Sequence, residues 1–112
     1  MKMSPGDVPA LLGAYVDQEV APKASGLQKF GAYAGVFVIQ NRAAHLLQDP
    51  KIKTLLASSG ALDEAGLLDV DYLHNMAKFA MNKAGGTVTV AGLILDGNDV
   101  ESLYKLAQSF AR

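Results

Sequence analysis

Apolar residues at Val8, Leu11, Leu12, Tyr15, Val16 and Val20 recur at the i, i+3, i+4, i+7 spacing of one helical stripe. Asp7 stands where an N-cap would, and Pro22 stops the pattern. Ser25, followed three residues later by Gln28, has the form of a capping box and predicts a second helix running to about Gln48. From Leu27 to Ile39 this helix is apolar on nearly every side. A helix of that kind is expected at the centre of the fold, covered by neighbours. Its second half turns polar at Gln40, Asn41 and Arg42.

Asp49-Pro50 reads as a break and a restart, with Asp as N-cap and Pro at the first helical position, where its missing N–H costs nothing. Ile52, Leu55 and Leu56 are the expected buried side of this third helix, and Ser58-Ser59-Gly60 ends it. Ala61 to Leu68 is either a loop or a short extended segment around Glu64-Ala65-Gly66. Asp69 caps a fourth helix striped by Val70, Leu73, Met76, Ala77, Ala80 and Met81, until Gly85-Gly86 breaks it. The period then changes to 2. Thr87 to Val90 alternates, Ala91-Gly92 turns, Leu93 to Leu95 returns, and Asp96-Gly97 closes a β-hairpin. Asn98 with Glu101 is a second cap signature, opening a last helix striped by Val100, Leu103, Tyr104, Ala107 and Phe110. The prediction is an α+β chain, mostly helical, with about five helices, a hairpin before the C-terminal one, and a single globular domain over residues 1–112.

Composition narrows the function. With 10 basic against 11 acidic side chains the net charge is -1, and without a basic surplus the phosphate neutralisation that drives nucleic-acid binding is missing. No nucleic-acid partner is expected. Zero cysteine excludes disulfides, thiolate metal sites and cysteine nucleophiles. The uncharged run from Phe30 to Asn41 is about 12 residues long, short of the roughly 20 a membrane span needs. Met1 to Asp7 has no apolar signal core, so a cytoplasmic location is expected.

Candidate chemistry is sparse. His45 and His74 lack the paired spacing of a helical zinc motif, with only Asp49 four residues after His45. His45 reads as partly exposed, and His74 as a surface residue one turn beyond Asp71. The carboxylates of Asp63, Glu64, Asp69 and Asp71, and of Asp96, Asp99 and Glu101 with Asn98, do not follow the ligand order of a calcium loop. Capping and the helix dipole account for both groups. No Gly-x-Ser-x-Gly elbow is present, and Gly85-Gly86-Thr87 follows a helix where a phosphate-binding loop would follow a strand. No metal, cofactor or catalytic residue is assigned, and the chain is expected not to be an enzyme.

Gly31 and Gly35, with Ala32 and Ala34, lie inside the most apolar helix, where each interior glycine costs about 1 kcal/mol against alanine. That cost implies a close approach, either by a neighbour within the chain or by a second copy. The hairpin carries no edge-blocking Lys, Pro or inward charge between Thr87 and Leu95. Its edge is expected to join a second chain in a homo-oligomer, with Val90 and Ile94 at the contact, unless Leu67-Leu68 pairs with it to make a three-stranded sheet. The residues of an expected interaction face are thus Gly31, Gly35, Val90 and Ile94.

Tyr15 to Pro22, Gly26 to Phe30, Asp49 to Lys53, Leu68 to Leu73 and Asp99 to Tyr104 together resemble small uncharacterised proteins of Firmicutes and their prophages, over most of the chain. The resemblance implies a bacterial or phage accessory protein and carries no activity or site residues with it. The expected function is protein–protein interaction or assembly, with a protein partner or the chain itself. The alternatives are a small-molecule site among Tyr15, Tyr33, Tyr72 and Tyr104, or peripheral membrane association through Phe30 to Ile39.

Overall fold

Four helices lie side by side in an order that is not their order along the chain. A computed structural model describes residues 1–90 and 93–111. Strand β1 (Lys2–Met3) leads through a 3-10 turn (Pro5–Asp7) into α1 (Val8–Tyr15). Then follow α2 (Gly26–Gln48), α3 (Pro50–Ser59), β2 (Leu68–Asp69), α4 (Val70–Lys83), the hairpin β3 (Thr87–Val90) and β4 (Leu93–Asp96), and α5 (Gly97–Phe110). Helix α1 packs against α2 on one side and α5 on the other, α4 packs against α5, and α3 against α2. The principal extents are 44 × 27 × 25 Å.

The first helical stripe is real but not one α-helix. After Tyr15 the chain widens into a π-helical segment (Val16–Val20), where the Ala21 N–H donates to the Val16 carbonyl five residues back, and then narrows to a 3-10 turn (Ala21–Lys23). A proline ring presses on the carbonyl four residues before it, and the wider turn ahead of Pro22 makes room for it. Asp7 makes no side-chain cap because the 3-10 turn leads directly into α1.

Capping otherwise follows the sequence closely. The Gln28 Oε1 accepts the Ser25 N–H at 3.3 Å, and the Asp49 and Asp69 carboxylates accept from Lys51 and Tyr72. Gly60 ends α3 in the left-handed region. The cap of α5 is set two residues earlier than Asn98. Asp96 accepts the N–H groups of Asn98 and Asp99 at 3.0 and 3.1 Å, and Asp99 returns a bond from the Asp96 N–H at 2.8 Å. An ionised acceptor at the end of β4 reaches those N–H groups first, and its bonds are stronger than an amide's.

The stretch Ala61 to Leu68 forms a tight turn at Glu64-Ala65-Gly66, closed by the Leu67 N–H donating to Asp63 at 2.8 Å. Leu68 then pairs with Met3, and Asp69 with Lys2. The three-stranded alternative is overturned: β2 takes its partner from β1, and β3–β4 remains a two-stranded sheet. The hairpin register pairs Thr89 with Ile94 and Val88 with Leu95. The Ala91-Gly92 turn lies outside the described residues.

The core has two clusters. One holds Met3, Leu11, Leu68, Val70 and Ala107. The other holds Tyr15, Val16, Ala32 and Val36, with Leu95 of the hairpin packed against it. Leu103 and Leu106 of α5 touch both. The expectation that the second helix sits centrally is wrong. Only its inner edge, Ala32 and Val36, is buried. α4 and α5 each have one apolar stripe, spent on each other, α1 and β1, and among the described residues no element reaches the far side of α2. For the same reason Leu55 on α3 and Met76 on α4 are exposed.

Candidate functional site

Two regions stand out, one polar and one apolar. On α4, Asp71 and His74 are three residues apart, and on α5 so are Glu101 and Tyr104. The helices run antiparallel, so these two pairs interlock. The Tyr104 hydroxyl donates to Asp71, and His74 Nε2 lies 2.8 Å from Glu101. The His74 and Tyr104 rings stack at 4.0 Å between centroids, 6° from parallel. The Met1 amino group approaches Asp71 at 2.8 Å. That amino group, with the Tyr104 hydroxyl, holds the Asp71 carboxyl below its usual range. The bond to Asp71 in turn pushes the Tyr104 phenol up.

Beneath the stacked rings lies a cavity of about 150 Å³, walled by side chains that include Leu11, Leu73, Val100 and Leu103. The ring polar atoms bond to carboxylates, so the walls offer mainly carbon. Such a cavity accepts a small apolar group and positions no polar atom for reaction. A larger one of about 360 Å³ lies between the 3-10 turn, the end of α2 and α3, with Lys53 on its wall.

The apolar region is the outer face of α2. Leu27 is 89% exposed, Phe30 75%, Phe37 63% and Val38 57%, and Ala34 is exposed between them. The same face continues with Asn41, Arg42 and His45, all exposed. The apolar surface therefore ends sharply after about three turns. At its side, the Tyr33 hydroxyl donates to Asp17 at 2.6 Å.

The residues expected at an interaction face lie on two elements, Gly31 and Gly35 on α2 and Val90 and Ile94 on the hairpin. Gly31 is exposed on the outer face of α2, and a Cβ there would meet nothing within 4 Å. Close packing within the chain is thus not what Gly31 serves. Gly35 is half-buried. Ile94 is 73% exposed on the hairpin face away from Leu95, beside Thr89 as alternation requires, and the Val90 backbone pairs with Leu93. A glycine that does admit a neighbour is Gly13, where a Cβ would stand 3.0 Å from Gln40 Nε2. That amide crosses from α2 to donate to the Pro9 carbonyl at 2.7 Å.

The four tyrosines do not form a pocket. Tyr15 is buried and donates to Asp99, Tyr33 bonds Asp17 and Tyr104 bonds Asp71. Each of these three hydroxyls meets a separate carboxylate, since a phenol beside apolar surface keeps its polar end paired. His74 is not a surface residue but half-buried under Tyr104, while His45 is exposed. The acidic groups serve as caps, a loop clasp at Asp63 and ion pairs with Lys2. Among the described residues, no group of three or more His, Asp or Glu could hold a metal ion, and no helix is long and apolar enough to cross a membrane. No family model, no curated protein and no solved structure matches this chain.

Proposed function

We propose that the protein works without catalysis, as an interaction or assembly protein that docks another protein on the outer face of α2. One observation carries this reading: Leu27, Phe30, Phe37 and Val38 form an exposed apolar patch bounded by polar residues. Contiguous apolar surface of several hundred Å², rimmed by polar groups, is what interaction sites present. The reading is that of a bacterial or prophage accessory protein working in the cytoplasm, the role that the resemblance to small uncharacterised proteins of Firmicutes and their prophages implies.

A second reading, a binder of small apolar molecules, is favoured by the cavity beneath His74 and Tyr104. Thermal melting against a metabolite panel separates the two. The interaction reading expects shifts within about one degree throughout. A shift of several degrees with one chemical class, abolished by Leu73→Trp in the cavity wall, would sink it.

A further inference from the structure

We infer that the partner on the outer face of α2 is a second copy of this chain, its α2 lying antiparallel across the first between Leu27 and Val38. The inference rests on the interaction reading above and adds the identity of the partner. Along this face the order is bulky Leu27 and Phe30, small Gly31 and Ala34, bulky Phe37 and Val38. That order reads nearly the same in both directions. A two-fold axis beside Ala32 and Tyr33 brings Leu27 level with the partner's Val38 and Gly31 level with the partner's Ala34. The small residues then let the two backbones approach at the crossing, and the bulky ones close over both ends. Self-complementarity of this kind is what a two-fold interface requires of one surface.

Gly31 supplies a second argument. It bears the helix penalty of glycine, and a Cβ there would touch nothing in its own chain. A facing helix at the crossing gives that position a use. Area supplies a third. The exposed parts of these side chains amount to roughly 500 Å² per chain, so a pair removes roughly 1,000 Å², about the least that a specific interface buries. The dimer is therefore weak and reversible. A lipid surface fits less well. The apolar face stops at Asn41 and Arg42, whereas an interfacial helix keeps its apolar side along its length, and Asp17 beside Tyr33 repels anionic headgroups.

Sedimentation of the whole chain across a range from micromolar to about 1 mM tests this. The wild type should pass reversibly from monomer to dimer, and Phe30→Lys should weaken dimerisation roughly tenfold or more. Its melting temperature at low concentration should stay unchanged, because Phe30 is exposed. Ile94→Lys should dimerise like the wild type. With no natural cysteine, a spin label on His45→Cys reports orientation, and antiparallel helices place the two labelled positions about 37 Å apart. A wild type that remains monomeric throughout would overturn the second-copy inference and leave a different protein partner as the remaining form of the interaction reading. A dimer lost in Ile94→Lys but kept in Phe30→Lys would place assembly at the hairpin, and a label separation under about 20 Å would mean parallel helices. Either result rejects the pairing proposed here.

Discussion

Helix α5 is less apolar overall than α2 and far better enclosed. Its Val100 and Ala107 are buried, and its Leu103 and Leu106 join the two core clusters. α2 is apolar on most sides and yet buries only Ala32 and Val36. Enclosure follows direction more than quantity. A stripe on one side of α5 can be met by α1 and α4 together, while the second apolar side of α2 needs an additional layer that short, one-sided helices cannot provide. Surplus hydrophobicity within a small chain therefore ends as exposed surface.

Adjacent residues on α2 give the sharpest way to break this contrast. Val36→Lys forces a charge into the cluster with Tyr15 and Val16 and should cost about 3 kcal/mol or more in urea unfolding. Phe37→Lys, one residue on, should change the stability of the monomer by less than about 0.5 kcal/mol. Similar losses at both sites would mean that the outer face is covered within the chain.

Next in size is the bond between Tyr15 and Asp99, which ties α1 to the cap of α5. Tyr15→Phe should destabilise by about 1 kcal/mol at neutral pH. Burial first, then the bond to Asp99 and its charge, push the Tyr15 phenol well above its ordinary value. The folded state thus holds that proton more tightly than the unfolded chain. The stabilisation is complete below pH 10 and is lost as pH rises toward the folded value. Between about pH 10 and 12 the wild type should lose stability more steeply than Tyr15→Phe, and parallel slopes would refute the assignment.

Asp63 gives a smaller effect at the other end of the scale. The Leu67 N–H and then Lys2 hold its carboxyl below the usual value of 3.8. Its contribution is present above that value and disappears as pH falls through the lower folded one. Asp63→Asn should melt below the wild type at pH 7, and the gap should close by about pH 2. A last pair of variants compares two glycines. Gly31→Ala should stabilise the monomer by up to about 1 kcal/mol, since no atom opposes the methyl. Gly13→Ala should gain less or lose, because Gln40 Nε2 must yield its place above Pro9. Equal shifts would show that α1 and α2 do not need the missing side chain.

Much of the fold is legible in the sequence because its signals are local. Caps at Ser25, Asp49 and Asp69, stops at Gly60 and Gly85-Gly86, and the change to alternation at Thr87 each act within a few residues, and each sits where the elements begin or end. What a local pattern does not carry is which neighbours arrive. β2 pairs with β1 from 66 residues earlier in register, Leu68 with Met3 and Asp69 with Lys2, and nothing around Leu68 announces it. The interlocked site was half visible: Asp71 with His74 and Glu101 with Tyr104 have equal spacing, as antiparallel helices require of crossed pairs. Only the docking of α4 on α5 makes that equality meaningful. The exposed face of α2 is not legible in the same way, because apolar content along a helix predicts burial without saying which neighbour supplies it.

The position of α1 between α2 and α5 also affects how the protein is made. α2 follows α1 after a short turn, whereas α5, which closes the other side over Leu11 and Met3, comes roughly 90 residues later. A ribosome adding about 5–20 residues per second leaves that side of α1 bare for roughly 4 to 18 seconds. Over that interval Leu11 and Met3 lack Ala107 and the rest of α5, and of the buried residues in their cluster only Leu68 and Val70 arrive earlier. The nascent chain therefore carries two sticky faces, and the arrival of α5 removes only one.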